Sequence, residues 1–168
     1  MSIEHIKFRG YVYRTHYYKT NPLDTAASKN SGGRWNRKGL CGALYTCLEE
    51  KALRAELKKM FEIRGFTTGD IFIRSVTKIK VKLEKVLDLT NPDTRKAYGI
   101  DLSEITSDEN DAKEKCLKVA DEARKKGCEA ILSPSGPDPD GINLNIYPDK
   151  KLPRSYIRPV ETKPIIRF

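Results

Sequence analysis

From Tyr11 to Gly65 the spacing of apolar and polar positions changes period several times, and each change marks an element. Tyr11 to His16 alternates in the manner of a first strand. The segment KTNPLDTAASKNSGG that follows is rich in Asn, Pro, Ser and Gly, and it reads as a loop long enough to suggest a function. Order resumes at Arg34 to Asn36, GALYTC from Gly42 to Cys47 reads as a short strand, and Leu48 to Arg64 as a helix ended by Gly65. DIFIRSVTKIKVKLEKVLDL, from Asp70 to Leu89, supplies two strand-like runs, and Asn91 and Pro92 turn the chain into a short helix near Asp93 to Tyr98. A long helix over Asp108 to Lys126 closes at Gly127. Strands follow at Glu129 to Ser133 and, after the loop PSGPDPDG, at Ile142 to Tyr147, where the period is two. YIRPV, from Tyr156, adds another strand whose Pro159 favours an edge. This order predicts an α+β fold, one domain over residues 1–168 with mixed or antiparallel sheets and flanking helices.

The helix that begins at Leu48 carries one residue on the wrong side. Positions three, four and seven apart share a helical face, so Glu56 lies with Ala52, Leu53, Met60 and Ile63, all apolar. The opposite face collects Glu50, Lys51, Arg54, Lys58 and Glu62, where water solvates them. A carboxylate on the inward face costs several kcal/mol if it is left unpaired, so an arginine or a ligand hydroxyl is expected within its reach.

Composition narrows the field. The chain has 168 residues, 38% of them apolar and 33% charged, enough for one well-packed domain. No apolar run approaches the roughly 18 residues a membrane span needs, and the N-terminus lacks a signal-peptide core, so a cytoplasmic protein is expected. Cys41, Cys47, Cys116 and Cys128 form no CxxC pair and have no histidine close by, which argues against a metal site and for reduced, partly buried thiols. A formal charge of +9, from 32 Lys and Arg against 23 Asp and Glu, admits nucleic acid, an acidic protein or a phosphorylated small molecule as partner. The lysines are interleaved with acids and apolar residues, as in KIKVKLEKV, which is the pattern of a strand with one wet face. Direct nucleic-acid binding therefore draws little support. GxGxxG, GxxxxGK[ST], HExxH and GxSxG are all absent, which counts against Rossmann dehydrogenases, P-loop NTPases and serine hydrolases.

Several short stretches carry a resemblance. Tyr13 and Arg14, GGRWNRKG at Gly32 to Gly39, LYT at Leu44 to Thr46, RAEL at Arg54 to Leu57, VLDLT at Val86 to Thr90 and SPSG at Ser133 to Gly136 resemble the RES domain family. The ordered spacing is its most specific part, with Arg34, Tyr45 and Glu56 each eleven residues apart. The resemblance implies an ADP-ribosyltransferase-like fold and the toxin of a toxin–antitoxin pair that consumes NAD+. Residue by residue, it implies that Arg14 and Arg34 hold the NAD+ diphosphate, that Tyr45 packs on the nicotinamide side and that Glu56 is the catalytic carboxylate. Ser135 completes the set and is preferred to Ser133 because the family's serine follows a proline. Many relatives then have a basic residue, whereas this chain continues with GPDPDG. The implied partners are NAD+ as substrate, inorganic phosphate or water as acceptor, and a helix-turn-helix antitoxin of the Xre type. No metal is implied.

The chemistry suits these residue types. Cleaving the bond between ribose and the pyridinium nitrogen of NAD+ releases neutral nicotinamide, so no general acid is needed and one carboxylate can suffice, unlike ordinary glycoside hydrolysis. That carboxylate stabilises the positive charge that builds on the ribose. Arginine grips a diphosphate with paired, charge-assisted hydrogen bonds, and tyrosine offers a flat face to a planar ring. Read without the resemblance, Glu56 is equally a buried ion-pair member, Arg14 and Arg34 surface arginines, Tyr45 a strand core residue, Trp35 a core aromatic and Ser135 part of a turn. Transfer of ADP-ribose to a protein or nucleic acid is the alternative reaction, and a non-catalytic basic nucleic-acid-binding module is a third reading.

Overall fold

The computed structural model describes residues 5–65 and 71–167. Six strands, β1 (Ile6–Tyr17), β2 (Leu44–Cys47), β3 (Ile71–Asp88), β4 (Ala130–Pro134), β5 (Ile142–Ile146) and β6 (Tyr156–Arg167), form one sheet in the order β1-β2-β5-β4-β3-β6. β1 also pairs along β3, from Ile6 opposite Val86 to Tyr17 opposite Arg74, so the first five strands close into a ring with β6 outside it on β3. Closure removes most of the free edges that an open sheet would expose. The described strand pairs are antiparallel except β3 with β4, and that parallel step needs the long crossover that three helices provide. They are α3 (Pro92–Ala97), α4 (Leu102–Thr106) and α5 (Asn110–Lys125), while α1 (Ala26–Ser31) and α2 (Glu50–Ile63) flank β2.

Alternation decides what each strand buries. In β3, Ile79, Val81 and Leu83 point inward and are at most 1% exposed, while Lys78, Lys80 and Lys82 occupy the wet face. The ring interior is filled by Val12, Leu44, Leu132, Leu144 and Ile146 with their neighbours on β3. A second cluster packs α4 and α5 on the outside of the ring around Trp35 and Tyr147, and a third lies under α2 around Leu53, Leu57 and Phe61. All four cysteines are buried and unpaired.

Four sequence expectations need correction. Asp70 lies outside the described residues, and the two runs expected after it are one strand, β3, bent by irregularities at Ile71–Arg74 and Lys78–Ile79 rather than broken by a turn. The segment expected to be all loop contains α1, which buries none of its residues and so shows no apolar period. α4 was not anticipated, although DLSE is a capping box: Asp101 accepts from the Glu104 amide and Glu104 from the Asp101 amide. Ile63 does not share the buried face of α2, being 74% exposed in the last turn, and Leu57 and Phe61 fill that face instead.

Candidate active site

β1 and β2 meet at a single register pair, Tyr13 with Cys47, and the ring wall opens beside it. There a cavity of about 350 Å³ is lined by Arg14 and Thr15 of β1, by Tyr45 to Cys47 of β2, by Asn143 and Asn145 of β5 and by Glu56, Lys59 and Met60 of α2. Its size is that of a small-molecule site. Strand parity supplies its polar wall. On β2, β4 and β5 the apolar Leu44, Leu132, Leu144 and Ile146 face the ring interior, while Tyr45, Cys47, Ser133, Asn143 and Asn145 alternate with them and line the cavity.

Glu56 is half-buried on the cavity wall. Its Oε1 accepts from Ser135 Oγ at 2.9 Å and from Asn143 Nδ2 at 3.0 Å. Among the described residues no hydrogen bond falls on Oε2. The Asn143 amide is fixed in sense, because its Oδ1 accepts from the Cys47 thiol at 3.2 Å. Burial, with Glu56 and Asp138 nearby, pushes the Cys47 thiol up to about 12, so it stays protonated and donates. The result is a carboxylate held by two neutral donors on one oxygen and open on the other. Neither arginine is hydrogen-bonded to it.

Ser135 is 2% exposed and sits in the turn between β4 and β5, where its amide donates to Gly141 O. This turn packs so closely on α2 that a Cβ on Gly141 would stand 3.0 Å from the Ala52 Cβ. Helix and turn therefore position Glu56 and Ser135 together. Ser133 makes a different bond, accepting from Asn145 Nδ2 at 3.0 Å.

The two arginines reach the cavity from separate anchors. Arg14 donates to Pro22 O and Asp24 O, so the segment after β1 is folded back over its guanidinium. Burial, only partly offset by Asp24, lowers its pKa, yet at any working pH it remains a cation. Arg34 Nη1 donates to Ser107 O at 2.7 Å, tying it to the end of α4, and Nη2 stands 3.4 Å from Asp108 Oδ1. The Trp35 amide donates to Tyr45 Oη, Tyr45 donates to Asn36 Oδ1, and Tyr147 donates to Trp35 O. Arg37, paired with Glu114 and Asp121, clamps the same turn onto α5. A Cβ on Gly33 would lie 2.3 Å from Tyr45 Oη, so only glycine permits this approach. Burial raises the Tyr45 pKa, and its hydroxyl serves the turn that presents Arg34 while its ring lines the cavity. Trp35, 2% exposed, is core.

Glu56, Arg14, Arg34 and Tyr45 thus border one cavity, and Ser135 touches Glu56 from behind. Sequence reasoning missed Asn143 and Cys47. INLNIY shows the alternation plainly, but polar alternate positions read by default as a wet face, and only the closed ring with α2 above it reveals that Asn145 is 1% exposed. It missed Lys59 as well, which lines the cavity and pairs with Asp108 at 2.8 Å.

A family model described as the RES domain matches residues 11–166. The chain belongs to the RES domain family. Over 128 residues this RES domain is 29% identical to a Mycobacterium tuberculosis protein named probable NAD(+) phosphorylase, covering 76% of this chain and 59% of that protein. The chain therefore spans somewhat under two thirds of the length of the curated relative it matches. Its fold is similar to that in the crystal structure of the M. tuberculosis MbcT–MbcA toxin–antitoxin complex, with a TM-score of 0.83 and 21% identity over 96% of this chain and 86% of that one. At that identity the likeness establishes the fold, an α+β architecture built on a mixed, ring-closed sheet with flanking helices. No described helix is long and apolar enough to cross a membrane.

Proposed function

We propose that this RES domain, taken as one unit over residues 1–168, is an NAD+-degrading enzyme that cleaves the nicotinamide–ribose bond and passes ADP-ribose to inorganic phosphate or water. The observation that carries the proposal is the state of Glu56. A carboxylate held on Oε1 by Ser135 and Asn143 faces, with Oε2 open, a cavity that two guanidiniums also enter. In this reading Arg14 and Arg34 grip the diphosphate and the Tyr45 ring flanks the nicotinamide. Oε2 accepts from a ribose hydroxyl and stabilises the positive charge that develops at the anomeric carbon. The C–N bond breaks with its electron pair going to the pyridinium nitrogen, so nicotinamide leaves neutral. An acceptor oxygen then bonds to the anomeric carbon, and if water attacks it releases a proton. No metal enters these steps.

The name of the curated relative supports phosphate as acceptor, and the toxin–antitoxin complex with the same fold supports a toxin in a toxin–antitoxin pair. The same reading expects a helix-turn-helix antitoxin of the Xre type as partner and the cytoplasm as site of action. Incubation with NAD+ labelled in its adenosine half, with and without inorganic phosphate, tests the reaction. Free nicotinamide with a phosphorylated or free ADP-ribose product is expected. Intact NAD+ would overturn the proposal, and label retained on macromolecules would favour ADP-ribosyl transfer instead.

A further inference from the structure

Asp108, at the junction of α4 and α5, does something unusual for an exposed carboxylate. It bridges two cations of the cavity, with Oδ2 2.8 Å from Lys59 Nζ and Oδ1 3.4 Å from Arg34 Nη2. Those cations come from separate elements. Lys59 lies one turn beyond Glu56 on α2, and Arg34 comes from the turn before β2, yet both line the cavity. The carboxylate itself is 58% exposed and so stands on the rim. Two cations converging on one pair of oxygens is the arrangement that holds a phosphate, whose oxygens are spaced much like those of a carboxylate. Asp108 is also free to leave, because a half-exposed ion pair contributes little and Asp108 makes no other ion pair among the described residues.

The geometry points to a phosphate-binding subsite formed by Lys59 and Arg34 at the cavity rim, which Asp108 fills as an internal stand-in until a ligand phosphate displaces it. Lys59 stands one helical turn from Glu56 and Arg34 lines the same cavity, so the occupant is either a phosphate of the dinucleotide or the free phosphate that accepts the sugar. This rests on the NAD+ reading for its biological meaning and not for its test, since anion binding can be measured without turnover. Lys115, Lys113 and Glu109 also stand near the α4–α5 junction, but none of them lines the cavity.

Calorimetric titration of the whole chain with inorganic phosphate and with ADP tests the inference. Lys59→Gln should weaken the affected anion by about tenfold, the size of one partly exposed charge-assisted hydrogen bond. Lys59→Arg should restore most of that loss, which separates lost charge from lost fold. Asp108→Asn should tighten the same anion several-fold, because the competitor has lost its charge. If ADP and phosphate compete and both respond to Lys59, the subsite belongs to the dinucleotide. If phosphate still binds the ADP-loaded protein and it alone depends on Lys59, the subsite belongs to the acceptor. Affinities unchanged within twofold in Lys59→Gln and Asp108→Asn would overturn the subsite whatever the NAD+ assay gives. Normal anion responses in a protein that leaves NAD+ intact would instead sink the enzymatic reading alone.

Discussion

Glu129 and Glu56 both turn inward in this fold, and they differ in how their oxygens are used. Glu129, just before β4, is 0% exposed, and backbone amides occupy both of its oxygens, those of Glu84 and Lys85 on Oε2 and that of Leu152 on Oε1. It pins β3 to the start of β4 and to the segment leading into β6, and its full burial keeps it out of a ligand's reach. Glu56 is half-buried, borders a cavity, takes both its hydrogen bonds from side chains on one oxygen and keeps the other open. Burial alone therefore does not mark a functional carboxylate. An inward carboxylate that borders a cavity with one oxygen free of hydrogen bonds among the described residues is the one placed to meet a ligand.

Substitutions can break this contrast. Glu129→Gln should have the largest effect, because an amide nitrogen would replace one accepting oxygen against a buried N–H. A loss of about 3 kcal/mol in urea unfolding is expected, with the rate per folded molecule unchanged. Glu56→Gln should do the reverse. Its side-chain oxygen can still accept from Ser135 and Asn143, so stability and circular dichroism should match the wild type while NAD+ cleavage falls about 10²–10³-fold. Asn143→Leu sharpens the comparison one step back. It removes a donor that fixes Glu56 but touches no backbone, so about a tenfold loss of rate with stability changed by less than about 1 kcal/mol is expected.

The smallest effect concerns pH. His16, 5% exposed between Thr20 and Thr77, has its pKa lowered by burial and by the nearby Arg14 and Arg74. The unfolded chain therefore takes up the proton first. The stability this neutral ring contributes is complete above the ordinary value of about 6.5 and is lost progressively as pH falls below it, by under about 1 kcal/mol over the first unit. Asp108 and Asp149, whose pKa values are lowered chiefly by hydrogen bonds from Lys59 and Arg124, lose their contributions only further into acid. Urea midpoints between pH 7.5 and 5.5 should show a shallow decline, to which His5, its pKa lowered by burial and by Lys85 and Lys126, also adds, and which His16→Gln makes shallower.

Local signals were legible in the sequence and long-range ones were not. The phase of α2 turned Glu56 inward correctly because four apolar neighbours define a face, yet the same phase misplaced Ile63, since periodicity cannot show that the last turn runs past the core it packs on. Arg34, Tyr45 and Glu56 all line one cavity, but their spacing gave no hint that the Tyr45 hydroxyl is committed to the Trp35 and Asn36 turn. Ring closure depends on β1 pairing with β3, from Tyr17 with Arg74 to Ile6 with Val86, far along the chain, and no local pattern encodes that register. The cavity is assembled from β1, β2, β4, β5, α2 and the Arg34 turn, far apart in sequence, so Asn143, Cys47 and Lys59 could not be separated beforehand from ordinary strand and helix surface.

A structure of the Glu56→Gln protein with NAD+ bound tests the central claim most directly, because the substrate should persist there. The dinucleotide should occupy the 350 Å³ cavity, with its diphosphate on the guanidiniums of Arg14 and Arg34 and its nicotinamide-bearing ribose within hydrogen-bond reach of the position 56 side chain. A dinucleotide bound elsewhere, or seated with that ribose turned away from position 56, would contradict it.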